Sequence, residues 1–139
     1  RPVLYLSKFI IAHKADYYRL LQEVRTRHNW EEWVLYMCRA VEMTALETIN
    51  QINQINYLFD LTAERIRSEK PKMYSKDLVE LLFVQPYCRI DNIMEQLGVS
   101  RPTASRYPNE LSDAGILNTR QVWKETLFIH EALLQVLKE

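Results

Sequence analysis

The chain has 139 residues, 47% of them hydrophobic and 26% charged, and its 18 basic side chains balance 18 acidic ones. That is the composition of a folded, soluble protein, and it argues against both a disordered tail and a strongly basic nucleic-acid module. No apolar run approaches the ~20 residues of a membrane span and no signal peptide opens the chain, so a cytoplasmic protein away from membranes is expected. Cys38 and Cys88 stand far apart, outside any metal-ligand spacing, and are expected as reduced, partly buried thiols. Gly98 and Gly115 are the only glycines, which predicts few tight turns and a largely helical chain.

In chain order, residues 1–6 (RPVLYL) begin extended, and Ser7 is placed to cap a short helix through Ala12. Asp16 opens an amphipathic stretch, DYYRLLQEVRTR, with Tyr17, Leu20, Leu21 and Val24 at helical spacing. Asn29 is placed to cap the next helix, whose first turn carries Glu31 and Glu32, as its dipole favours. From Trp30 an apolar series of threes and fours runs through Trp33, Val34, Met37, Val41, Ala45, Ile49, Ile52, Ile55, Phe59 and Ile66 to about Glu69. Neither Gly nor Pro interrupts it, which predicts one helix of about 40 residues, about 60 Å long at 1.5 Å per residue. Within it INQINQIN (49–56) repeats every three residues, short of the 3.6-residue turn, so its isoleucine stripe drifts around the helix. These helices, with Tyr17, Tyr18, Trp30 and Trp33 among them, carry more apolar surface than they can cover for one another. A partner surface is therefore expected, from an upstream part of the protein or from a second copy through self-association.

Further on, PKMYS (71–75) reads as a linker, with Ser75 capping a helix that ends near Val84. Pro86 stops that helix, and CRI (88–90) is a candidate short strand. Asp91 is placed to cap the helix NIMEQL, which Gly98 ends in a left-handed turn. Ser100 caps the next helix; Pro102 sits in its first turn, where a missing amide costs little, and the helix runs to Ala114 before Gly115. ILNT (116–119) and ETLFI (125–129) read as strands joined through RQVWK, and HEALLQVLK closes as a helix. The expected fold is mainly α: a helical segment with a long helix (1–70), then a winged helix-turn-helix with a two-stranded β wing (71–139).

That second part raises nucleic-acid binding. Thr103, Ser105 and Arg106 fall at the start of the recognition helix, and Arg101, Arg120 and Lys124 are candidates for phosphate contacts. Against this, residues 75–139 carry seven basic side chains to nine acidic. In addition, Pro108 removes a helical bond to residue 104 and is expected to bend the helix. Tyr74, Tyr87 and Tyr107 read as packing or rim residues, and Trp123, in the wing region, as an exposed contact residue or, the favoured reading, as a strand residue packed on the domain. The scattered His and Cys suggest no metal site, and no nucleophile–base pair suggests a self-contained catalyst.

PVLYLS (2–7), DYYRLLQEVR (16–25), NWEEWV (29–34) and GVSRPTASR (98–106), in this order and spacing, resemble the C-terminal part of Fic-domain proteins. The resemblance implies a helical fold followed in many members by a winged helix, and a parent that transfers AMP from ATP, with Mg, to a hydroxyl of a target protein. It also implies that Tyr18, Leu21 and Arg25 lie where the family builds part of its adenine wall, with Arg25 in place of an asparagine. The family's His-Pro-Phe-x-Asp/Glu-Gly-Asn-Gly-Arg signature has no match here, since none of His13, His28 and His130 precedes Pro-Phe. The chain is thus expected to be a C-terminal portion without catalytic residues or a cofactor of its own, inert alone, partnered by an upstream catalytic core. Its winged helix would recognise the target protein, a second copy of the chain or DNA. The competing reading is a small winged-helix transcriptional regulator that dimerises through its long helix.

Overall fold

A computed structural model describes residues 5–138. Of the extended start expected for residues 1–6, residues 1–4 lie outside the described residues and Leu6 is already helical. The chain divides into two compact units, Arg1–Ile52 and Asn53–Glu139, with the division falling inside the longest helix.

The first unit holds α1 (Leu6–Ala12), α2 (Lys14–Arg27) and the first half of α3 (Trp30–Glu69). α1 begins one residue before the expected cap, so Ser7 lies inside the helix and supplies no cap bond. A single non-helical residue, His13, separates α1 from α2, and its ring donates back to the Phe9 carbonyl at 2.9 Å. Asp16 therefore lies in the first turn of α2 and does not open it. His28 adopts the left-handed conformation, φ 55°, and turns the chain into α3. The Asn29 side chain reaches back to Glu23 Oε2 at 3.3 Å. Tyr17 of α2 packs on Trp33 of α3, with ring centroids 5.4 Å apart, and Tyr36 stacks on Trp33 at 6.2 Å. Among the described residues of this unit, Leu20, Val24, Ala40 and Thr44 are the buried positions.

α3 is one 40-residue helix, as the uninterrupted apolar series predicts. Trp30, Val34, Val41, Ile49 and Ile52 nevertheless remain about half exposed, whereas Ala40 and Thr44 face inward. The unpartnered apolar surface expected from the sequence is present on this helix.

In the second unit the end of α3 enters the core. Ile66 is fully buried in a cluster with Met73, Leu78, Leu82, Cys88, Ile93, Leu111, Leu117 and Phe128, and Phe59 and Ala63 pack against it. The 71–75 stretch is a tight turn, with Met73 N–H on the Lys70 carbonyl at 3.0 Å, and it sinks Met73 into that cluster. Ser75 caps α4 (Lys76–Val84) by accepting from Leu78 N–H at 3.1 Å. After α4 come the short strand β1 (Tyr87–Cys88), α5 (Ile90–Leu97), α6 (Arg101–Asp113), the strands β2 (Asn118–Val122) and β3 (Glu125–Ile129), and α7 (Glu131–Lys138). All pairs are antiparallel and the sheet order is β1-β3-β2, with Arg120 opposite Leu127 and Val122 opposite Glu125. Helices followed by this hairpin are consistent with a winged helix, and this part is called the winged unit.

The element bounds differ from expectation where local bonds take over. Strand β1 lies at 87–88 because the chain is already helical at Ile90, and Asn92 Oδ1 accepts the Arg89 N–H at 2.9 Å at the start of α5, where a cap by Asp91 was expected. β2 starts at Asn118 because Ile116 and Leu117 bond back to the Leu111 carbonyl and are buried. Gly98 takes the left-handed conformation expected of it, φ 62°, and Gly115, expected to end α6, is left-handed too, φ 73°. α6 continues through Pro108, whose ring is buried, and the Asn109 side chain donates to the Ser105 carbonyl beside it at 2.7 Å. No helix among the described residues is long and apolar enough to cross a membrane.

His130, at the end of β3, is almost wholly buried. Its ring stands edge-on to Phe83 at 4.9 Å and Nδ1 lies 3.2 Å from the Leu82 carbonyl, so Nδ1 carries the proton and donates. Burial pushes its pKa below 6.5, opposed by the bond to Leu82. The unfolded chain then binds the extra proton as pH falls through the ordinary histidine range, so stability is complete above that range and declines below it. The thermal midpoint of this unit is expected to be flat above pH 7 and to fall between about pH 6.5 and 5, and His130→Phe should flatten that decline in a calorimetric pH series.

Candidate recognition surfaces

The three α2 residues assigned by resemblance to an adenine wall share one helical face: Tyr18, Leu21 and Arg25 follow each other at i, i+3 and i+7. Tyr18 is 63% exposed, Arg25 is exposed and Leu21 is half-buried. The neighbouring Tyr17 is the one that packs inward, its ring edge-on to Tyr18 at 5.3 Å. The face offers one ring, one aliphatic chain and one cation to something laid against it. Among the described residues no group of three His, Cys, Asp or Glu is placed to hold a metal ion.

The winged unit divides the nucleic-acid candidates among separate places. Arg101, at the start of α6, pairs with Asp91 at 3.1 Å and lines a cleft of about 160 Å³ with Arg89, Asp91, Lys124 and Glu125. Arg89 is held there by Glu125 at 3.0 Å. Arg106 lines a different cleft, of about 330 Å³, with Lys70, Lys72, Met73 and Glu110. Glu110 draws both Arg106 (3.7 Å) and Lys70 (3.6 Å). Thr103 is half-buried and hydrogen-bonded to the Ser100 hydroxyl at 3.2 Å, and Ser105 is half-buried as well. The structure thus brings Arg101 and Lys124 to one cleft, places Arg106 in another, and puts Arg120 on the edge strand. Arg101 and Arg106 thus each stand beside a carboxylate; the Arg106–Glu110 pair follows the i,i+4 helix spacing, whereas Arg101–Asp91 joins two helices and is not marked in the sequence.

The tyrosines behave as packing and rim residues. Tyr74 is half-buried beneath the Arg67 guanidinium, 4.6 Å from its ring centroid, and its hydroxyl accepts from Arg67 at 2.8 Å. Tyr107 packs against the core and Tyr87 is half exposed. Cys88 is buried, which pushes its thiol up to about 11, whereas Cys38 is exposed.

Of the two readings of Trp123, the favoured one, a packed strand residue, requires correction. It is not packed on the domain: it forms the two-residue tip between β2 and β3 with Lys124, and 96% of its surface is exposed. Its φ is +59°, a conformation favoured by glycine or asparagine. No Gly, Asn or Asp marks this turn in the sequence, so turn chemistry could not locate it and the run RQVWK read as a longer connection.

The family described as protein adenylyltransferase SoFic-like, C-terminal domain, matches residues 58–133, more than half of the chain. The chain belongs to this family. The match begins at the Phe59–Ile66 segment of α3 and closes at Leu133 of α7, so it takes in the end of the long helix together with the winged unit whose core that helix helps to form.

A bulky residue held at positive φ costs of the order of 1 kcal/mol or more, and glycine escapes that cost. Trp123→Gly, which removes no buried contact, is expected to raise the stability of the winged unit by about 0.5–1 kcal/mol in urea unfolding; a fall in stability would show that the indole contributes to the fold.

Proposed function

We propose that this chain is the recognition portion of a protein adenylyltransferase, with the winged unit selecting the protein that receives AMP. The observation that carries this reading is the wing of a family member: every residue of β2 is exposed, its tip presents Trp123, and the neighbouring cations Arg89 and Arg101 are already paired with carboxylates. A surface that reads phosphates needs its cations free for exchange with counterions. One built around an exposed aromatic anchor suits a protein partner.

In this reading the bond-making residues, ATP and Mg belong to the catalytic part of the parent protein. Tyr18, Leu21 and Arg25 add one side of the adenine site, where Tyr18 stacks on the base and Arg25 replaces a neutral hydrogen-bonding amide. The exposed apolar residues of α3 in the first unit dock that catalytic part, and the setting is the cytoplasm. A DNA-binding regulator dimerised by α3 would instead rely on Arg101, Thr103, Ser105, Arg106, Arg120 and Lys124 acting as one basic surface. Three of those side chains are half-buried or paired within separate clefts, and Arg101 is held by Asp91.

The 139-residue chain added in excess to the intact adenylyltransferase is expected to raise the apparent KM for the protein substrate without lowering kcat. Self-modification by the same enzyme should be unchanged, because competition acts at recognition and not at chemistry. Transfer of labelled AMP by the chain itself, or equal inhibition of both reactions, would contradict the proposal.

A further inference from the structure

β2 is an open sheet edge. It bonds β3 on one side and lies at the end of the order β1-β3-β2. The two-residue tip makes Val122 and Glu125 the hydrogen-bonded pair that closes the hairpin, and Arg120–Leu127 and Asn118–Ile129 follow in the same phase. The backbone N–H and C=O of Thr119 and Gln121, in the alternate phase, therefore point away from β3. Proteins blunt such an edge with a proline, a bulge, shortness or charged side chains. Asn118–Val122 has neither proline nor bulge, its register with β3 running through five consecutive pairs, and its one charge is the cation Arg120.

At the end of this edge stands Trp123, 96% exposed on a backbone conformation that disfavours it. Strain retained at an exposed tip that packs on nothing points to a use outside the fold. Val122, 37% exposed, lies beside it. The charge here is one-sided. Arg120 and Lys124 form no ion pair among the described residues, while Glu125 and Asp91, which share a cleft with Lys124, are held by Arg89 at 3.0 Å and Arg101 at 3.1 Å.

Building on the reading of the winged unit as a protein-recognition module, we propose that β2 takes an extended acidic segment of the partner protein as a fourth strand, anchored at its end by Trp123. The backbone groups of Thr119 and Gln121 supply the ladder, Arg120 and Lys124 favour acidic side chains, and the indole covers an apolar residue of the incoming strand. A second copy of β2 is the poorer occupant: it would bring its own Arg120 and Lys124 beside the first pair with no carboxylate to offset them.

The test selects a phage-displayed library of random twelve-residue peptides on the whole chain and measures the enriched peptides by fluorescence anisotropy. Enrichment of acidic peptides is expected, with binding weakened about thirtyfold in Trp123→Gly. Thr119→Pro should weaken it about tenfold or more, because proline at an outward-facing edge position keeps the hairpin but removes a ladder donor. Melting curves of both variants establish that they remain folded. Trp123→Gly carries the test if the proline variant does not fold, since glycine relieves the tip. Failure to enrich any peptide, enrichment of basic peptides, or equal binding to Trp123→Gly would overturn the proposal. So would displacement of the peptides by a duplex oligonucleotide that binds more tightly and with a steep salt dependence. If no peptide binds while the chain still competes for the protein substrate, strand addition is wrong and the recognition reading stands; if both fail, the reading itself falls.

Discussion

The C-terminal unit depends on the burial of Ile66. This side chain belongs to α3, yet it is fully buried among residues contributed by the 70–73 turn, α4, α5, α6 and the sheet. A helix end is a poor core by itself, and three short helices with a small sheet are marginal without one more apolar face to cover. The last turns of α3, through Phe59, Thr62, Ala63 and Ile66, supply that face. The family match beginning at residue 58 agrees with this physical boundary.

The same cluster determines what is left for recognition. Phe128 and Cys88 point from β3 and β1 into it, so the sheet is fixed on its inner face and along β3. β2 is then held only by its ladder to β3 and remains exposed throughout. A well-packed core thus leaves the wing exposed, with a strained tip that nothing in the fold requires. The charged clefts carry carboxylates among their cations, Asp91 and Glu125 in one and Glu69 and Glu110 in the other. The wing adds an aromatic anchor, Trp123, beside Arg120 and Lys124, which form no ion pair among the described residues.

Much of this was legible in the sequence because it rests on local rules. The long helix follows from forty residues without Gly or Pro, the ends of α5 and α6 from Gly98 and Gly115, and the start of α4 from Ser75. What was hidden depends on contacts between distant residues or on turns without the usual residues. Met73 in a stretch that reads as a linker is buried because α3 and α4 fold back around it. The cancellation of Arg101 by Asp91 joins residues ten apart across two helices, and charge counting along the chain cannot pair them. The tip at Trp123–Lys124 violates the turn preferences that sequence reading uses. For the α2 face, the helical register of Tyr18, Leu21 and Arg25 was readable, but the openness of that face was not.

The dependence of the winged unit on α3 is tested most directly by thiol exchange in Ile66→Ala. Cys88 is buried in the same cluster and its thiol is pushed up to about 11, so it reacts only when the unit opens, while the exposed Cys38 reports the intrinsic rate in the same sample. Removal of a fully buried isoleucine side chain costs about 2–4 kcal/mol, so native-state labelling of Cys88 should accelerate by about 30-fold to 1,000-fold with Cys38 unchanged. Cys88 labelling at the unsubstituted rate would mean that the winged unit stands without the long helix, and the account would fail.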